Sequence, residues 1–323
     1  MYSIGIDLGG TNIAVGIVDA DYRIVKKESI PTRAKREADE ITADIAALCL
    51  KLMGEMGLNQ ADVEFAGMAT PGTANSDSGV IEYANNLPFY MYPMCEKLSS
   101  LLGGIKVYIE NDANAAAKAE AMAGAAKGSR YSVMITLGTG VGGGIILDGK
   151  VYAGFNFAGA ELGHTVIEKD GRQCSCGRRG CWETYSSATG LITTTKEKIL
   201  ACREKKIPTL MEKLICGDLA RISGKTAFTA AKQGDTAGKE VVDTYIDYLA
   251  CGIANMINIF QPEVLCVGGG ICKEGETLLA PLREYIAREA YSIEGQPTCK
   301  LDICKLGNDA GTIGAAMLWK LHE

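Results

Sequence analysis

The sequence predicts an α/β protein of two lobes, and three observations carry that reading. A short apolar run from Tyr2 to Asp7 ends in a carboxylate and two glycines, and strand-like segments follow it. The same strand–glycine turn–strand unit starts again at Ser132. The 323 residues exceed what one hydrophobic core usually serves and suit two lobes facing each other, each presenting a glycine turn to a cleft.

The elements follow in order. Ala14 to Val18 and Arg23 to Ser29 have strand composition around an Asp19-Ala20-Asp21 turn, which makes the start a meander. Glu37 to Met56 carries Ile41, Ile45, Leu48 and Leu52 at helical spacing. Val63 to Ala69 and Ile105 to Ile109 read as buried strands, and Ala113 to Ala126 as an alanine-rich helix. In the second half, Ser132 to Leu137 is a strand, Gly138 to Gly143 a glycine turn, and Gly144 to Leu147 a strand. A helix over 239–260, a strand from Val264 to Val267 with a turn at Gly268-Gly269-Gly270, and a final helix from Ala310 to Leu321 complete the chain. The expected division gives residues 1–116 plus 307–323 to the first lobe and 117–306 to the second.

Charge and composition exclude several functions. Net charge is −6, and no Lys/Arg run or basic amphipathic stretch offers a surface to nucleic acid or membrane. No signal peptide is read at the N-terminus and no apolar run reaches membrane length, so the expected location is cytoplasmic. Nine of the twelve cysteines (Cys49, Cys95, Cys202, Cys216, Cys251, Cys266, Cys272, Cys299 and Cys304) lie singly in apolar segments, as small buried hydrophobes do in a reducing compartment.

The motifs carry chemistry. In Asp7-Leu8-Gly9-Gly10-Thr11-Asn12, glycines bring backbone amides close to phosphate oxygens, Thr11 and Asn12 add hydrogen bonds, and Asp7 can hold Mg²⁺ through water. An ordinary hairpin turn is the alternative. Thr136 to Gly144 places Gly138, Thr139 and Gly140 in an amide-rich loop with neither the Lys-Ser/Thr of a Walker A motif nor the following helix of a dinucleotide fingerprint. Gly269 and Gly270 can let an adenosine lie against backbone, or simply make a strand-to-helix turn. Glu110-Asn111-Asp112 opens a helix with two cap-capable residues in tandem, which leaves one for general-base work. His164, Cys174, Cys176 and Cys181 form a Cys₃His set within a glycine-rich stretch and suit tetrahedral Zn²⁺. Four protein ligands leave no open position, so the zinc is expected to be structural. Asn85 and Asn86 sit in a polar loop, where amides suit sugar hydroxyls or solvent.

Taken together these residues resemble the ROK family (repressors, open reading frames and kinases), and within it the glucokinase branch. The likeness runs nearly end to end: DLGGTN at 7–12, TPG at 70–72, NNLP at 85–88, END at 110–112, LGTGVGGGI at 137–145, GAELGH at 159–164, CSCGRRGCWE at 174–183, VGGG at 267–270 and GNDAGTIGAA at 307–316. The resemblance implies the two-lobed, actin-like (ribonuclease H-like) sugar-kinase fold with a small zinc-binding element. It implies ATP-dependent phosphorylation of a hexose, D-glucose to glucose 6-phosphate first, with Asp112 as general base and Mg²⁺ accompanying ATP. By the same resemblance Asn86, Asn111, Asp112, Glu161, His164 and Glu183 bind sugar hydroxyls, and Gly72 lines that pocket through its backbone. Gly9, Gly10, Thr11, Gly138, Thr139 and Gly140 contact phosphates, with Gly269 and Gly270 near the adenosine. His164 would serve zinc with one ring nitrogen and sugar with the other. Phe89 departs from the Trp that many glucokinase-like members carry after Asn-Leu-Pro, which touches only fine substrate preference.

Two other classes compete. N-acetylmannosamine, N-acetylglucosamine, allose and fructose are alternative acceptors within the family. A sugar-responsive transcriptional regulator is a second class, but such proteins carry a helix-turn-helix domain ahead of the first phosphate strand, and here that strand starts at Tyr2. The expected partners are a hexose and ATP, with a homo-oligomer (dimer or tetramer) and neither nucleic acid nor membrane.

Overall fold

The computed structural model describes residues 1–84 and 86–318. Asn85 of the expected sugar loop, the end of the expected last helix at Leu321, and His322 lie outside the described residues. Contacts group the chain into two compact units, residues 1–134 with 144–160 and 304–323, and residues 135–143 with 161–303.

In the first unit, β1 (Tyr2–Leu8), β2 (Asn12–Val18) and β3 (Ile24–Pro31) form the expected meander, and α1 (Ala38–Glu55) follows. Next come β4 (Val63–Thr70), β5 (Thr73–Asn75), β6 (Val80–Tyr83), β7 (Tyr90–Tyr92), α2 (Met94–Leu101), β8 (Val107–Asn111) and α3 (Asp112–Ala123). One sheet runs β3-β2-β1-β4-β8, and β5-β6-β7 make a small second sheet. β1 pairs antiparallel with β2 and parallel with β4, so β4 and β8 return to the sheet by crossovers. Ile4, Ile6 and Leu8 of β1 and Ile13, Val15 and Ile17 of β2 are buried in one cluster with Ile41, Ile45, Leu48 and Leu52 of α1. The helical spacing read from the sequence is therefore the face that covers the sheet.

β9 (Ser132–Leu137) and β10 (Val141–Leu147) each pass from one unit to the other along their length, and β11 (Lys150–Val151) pairs antiparallel with β10. The second unit continues with α4 (Glu183–Ser186), α5 (Ala188–Glu204), α6 (Leu210–Leu214), α7 (Thr226–Lys232), α8 (Thr236–Phe260), β12 (Val264–Gly269), α9 (Glu276–Glu289) and β13 (Lys300–Ile303). The order β11-β10-β9-β12-β13 repeats the first sheet's scheme of a meander followed by crossover strands.

α10 (Ala310–Ala315) belongs to the first unit. It lies against α3 so closely that a Cβ on Gly314 would meet the carbonyl oxygen of Ala115 at 1.9 Å. Ala115 and Ala119 of α3 are buried with Ala315, Leu318, Ile313 and Met317. This small-residue packing keeps all of α3, and the segment after it, in the first unit, whereas the sequence reading divided the chain after residue 116. The expected final helix also breaks into turns after Ala315 among the described residues.

Candidate active site and metal centre

The strand-to-helix junction of the first unit resolves the tandem cap. The side chain of Asn111 is the N-cap of α3, its Oδ1 accepting from Ala113 N at 2.9 Å and Asn114 N at 3.2 Å. Its Nδ2 donates to the Gly72 carbonyl at 3.1 Å. Asp112 is the first helical residue, exposed, with Oδ1 also accepting from Ala113 N at 2.8 Å. Gly72 has φ +88°, and a Cβ there would lie 2.1 Å from the Tyr83 carbonyl oxygen, so only glycine fits.

A residue without an assigned role in the sequence supports this junction. Glu110 is buried, and its Oε1 accepts from Asn111 N at 2.8 Å and from Asn114 Nδ2 at 3.1 Å. Burial pushes its carboxyl above the usual carboxylate range, opposed by those two hydrogen bonds. Its place in the Glu-Asn-Asp triplet was the only sequence signal.

The first glycine turn is closed by Gly9 N donating to Asn12 O at 2.9 Å. Thr32, which nothing in the sequence singled out, buttresses it: Oγ1 donates to Gly9 O at 2.6 Å and N to Thr11 O at 2.8 Å. Gly10, Thr11 and Asn12 are exposed, with Asn86 exposed beside Gly10. Asp7 is half-buried at the end of β1, over Gly311, where a Cβ would come within 2.8 Å of its carboxyl. Burial raises its pKa, and the Lys27 charge pulls it back.

In the second unit, Gly138, Thr139 and Gly140 form the loop between β9 and β10, closed by Gly138 N donating to Gly140 O at 3.0 Å. The remaining glycines do something else. The strand begins at Val141 rather than Gly144, and Gly143 and Gly144 serve packing: added Cβ atoms would lie 2.5 Å from the Leu162 and Ala117 side chains respectively. Gly269 has φ +104° and lies against Leu137, while Gly270 is exposed with nothing near its Cβ position.

The four expected metal ligands converge. His164, Cys174, Cys176 and Cys181 bring their ligand atoms within 4.8 Å of one another. Cys174 Sγ is 3.6 Å from His164 Nδ1, and Cys176 Sγ is 3.6 Å from Cys181 Sγ. A tetrahedron with Zn–S bonds of the usual length has edges of about 3.8 Å, so this donor set fits zinc. Tight turns make it possible. Gly177 (φ +87°) closes a turn in which Cys174 N bonds Arg178 O at 2.9 Å. Gly180 (φ +77°) passes so close to Glu168 O that a Cβ would sit 1.7 Å away. The backbone N–H of Arg178 lowers the pKa of exposed Cys176 towards the thiolate.

Trp182 fixes this hairpin to the helical body. It is fully buried on Gly252 of α8, and its Nε1 donates to Tyr248 O at 3.1 Å. Tyr185 stacks on Tyr248 with ring centroids 4.3 Å apart. Glu183, next in the chain, is half-buried, and Glu161 is exposed one residue before the turn that carries His164. Phe89, the departure noted in the sequence, is a buried core residue packed on Tyr92 with ring centroids 5.1 Å apart.

Residues 3–322 match the family model described as "ROK family". A glucokinase from Thermotoga maritima is 36% identical over 320 residues, covering 98% of this chain and 96% of that protein. Among solved structures, a ROK family glucokinase from Streptomyces griseus in complex with glucose and AMPPNP is 34% identical, with a TM-score of 0.78 over 98% of this chain and 99% of that one. A ROK hexokinase from Thermus thermophilus is 31% identical, with a TM-score of 0.79 over 98% of this chain and 97% of that one.

Proposed function

This chain belongs to the ROK family, and from that premise we propose that it is an ATP-dependent sugar kinase that phosphorylates the 6-hydroxyl of D-glucose, with Asp112 as general base. The observation that supports the assignment of the base is the place of Asp112: an exposed carboxylate in the first turn of α3, next to Asn111, whose side chain is the N-cap. The glucose and ATP analogue held by the Streptomyces griseus relative support the choice of substrates.

In this reading the sugar hydroxyl gives its proton to an Asp112 carboxylate oxygen as its oxygen attacks the γ-phosphorus. The bond from that phosphorus to the β,γ-bridging oxygen breaks, and ADP leaves. Gly9, Gly10 and Thr11 of the first turn and Gly138, Thr139 and Gly140 of the second carry the phosphates on backbone and hydroxyl donors. Gly269 and Gly270 leave room for the adenosine. Asp7 at the end of β1 is suited to hold, through water, a Mg²⁺ accompanying ATP, which would offset phosphate charge. Asn86, Asn111, Glu161, His164 and Glu183 hold the sugar's other hydroxyls, and Gly72 lines the pocket. Carboxylate acceptors there make the stronger, charge-assisted bonds. Zinc on His164, Cys174, Cys176 and Cys181 supplies structural rigidity when bound. Nδ1 of His164 faces the thiols, which leaves Nε2 as a donor to a hydroxyl.

A coupled ADP-release assay over hexoses and N-acetylhexosamines tests the substrate. Glucose is expected to give the highest kcat/KM, and each misdirected hydroxyl to cost about tenfold, because it leaves a group that the bound sugar covers without its hydrogen bond. A higher kcat/KM for N-acetylmannosamine, N-acetylglucosamine, allose or fructose would keep the kinase and remove glucose.

A further inference from the structure

Glu183 does more than face a sugar. Its Oε2 accepts a hydrogen bond from the backbone N–H of Val141 at 3.0 Å, at the end of the glycine loop 138–140. The fit beside it is tight: a Cβ on Gly140 would lie 2.1 Å from that same oxygen. The residues that follow Glu183 hold the rest of the loop. Ala188 N donates to Gly138 O at 2.9 Å, and Thr189 Oγ1 donates to Thr139 O at 2.8 Å. From the other side the segment before His164 closes on the same strand, where a Cβ on Gly163 would meet Val141 O at 2.1 Å. The two segments that grip this loop thus carry metal ligands next to their gripping residues, His164 beside Gly163 and Cys181 two residues before Glu183.

We propose that Glu183 is a positioning residue for the glycine loop 138–140, and that the Cys₃His centre sets affinity for a nucleoside triphosphate through it, independently of any sugar. The physical basis is preorganisation. Backbone donors held in place before the phosphates arrive need not be ordered on binding. The carboxylate fixes the peptide that follows the loop with a charge-assisted bond to Val141 N–H, and a metal on the Cys₃His set would fix the segments on both sides. This rests on reading the loop as a phosphate site.

The test measures binding of a non-hydrolysable ATP analogue with Mg²⁺ in the absence of sugar, together with amide hydrogen exchange in the peptide spanning 137–143. Glu183→Ala is expected to weaken the analogue about tenfold, the loss of one charge-assisted hydrogen bond, and to speed exchange at Val141. Glu183→Gln keeps an acceptor oxygen and is expected to recover most of the affinity. Stripping metal from the unaltered protein with a chelator is expected to have the same two effects, reversed by Zn²⁺, and this arm stands even if Glu183→Ala does not fold. Unchanged analogue affinity in Glu183→Ala or in the metal-stripped protein overturns the proposal while leaving the kinase reading intact. An unaltered protein that binds no analogue at all removes the phosphate-loop reading and the proposal with it.

Discussion

Glu120 Oε1 accepts a hydrogen bond from the backbone N–H of Leu306 at 2.8 Å, across 186 residues of chain. Its Oε2 accepts from Lys305 N at 3.1 Å and Ala125 N at 2.6 Å, and the side chain is fully buried in α3. One carboxylate therefore ties the helix that begins at Asp112 to the segment leading into α10. Glu120→Ala strands these donors and is expected to cost about 3 kcal/mol, read as a lower urea midpoint at unchanged slope. Glu120→Gln, which turns an amide N–H towards donors, should fall between the two. An unaltered midpoint in Glu120→Ala would show that water replaces the carboxylate without loss.

Glu110 gives a pH signature. Its carboxyl is raised by burial, so the folded state holds the proton more tightly than the unfolded chain. Stability from this group is present below the unfolded value of about 4.3 and is lost as pH climbs from there to the folded pKa. Glu110→Gln cannot ionise. Its urea midpoint relative to the unaltered protein should rise as pH increases through that window. A difference that stays flat with pH would mean Glu110 is not strained by burial.

Much of this was legible because it is local. Ile41, Ile45, Leu48 and Leu52 announce a buried helical face by spacing alone, and His164, Cys174, Cys176 and Cys181 announce a candidate metal site by type and proximity. What the sequence concealed acts across distance. The bond from Val141 to Glu183 spans 42 positions, and the grip of Glu120 on Leu306 spans many more, and neither leaves a periodic or compositional trace. Glycines misled for a related reason. A glycine needed for close packing, as Gly143 is against Leu162, looks in sequence like one needed for phosphate. The strands β5 and β7, at three residues each, are too short for alternation to register.

The metal centre predicts composition as well as stability. Protein purified without added metal should carry one zinc per chain by elemental analysis, and Cys176→Ser should lose most of it. Chelation should lower Tm and Zn²⁺ should restore it. Metal-free protein with unchanged Tm would contradict a structural centre.

Gly72→Ala tests the backbone of the proposed sugar side. A Cβ at φ +88°, 2.1 Å from the Tyr83 carbonyl oxygen, forces the backbone that accepts from Asn111 to move. The expected cost is about 1–3 kcal/mol of stability, with a higher sugar KM. Normal stability and KM would mean the turn adjusts freely.

The most direct measurement is single-turnover phosphoryl transfer by Asp112→Asn at saturating sugar and ATP, with sugar binding measured separately. The substitution keeps size and hydrogen bonding but cannot take a proton. The rate should fall by about 10²–10⁴-fold, the usual contribution of a general base, while sugar Kd changes by less than about threefold. Turnover within a few-fold of the unaltered enzyme would contradict Asp112 as the base and the mechanism built on it.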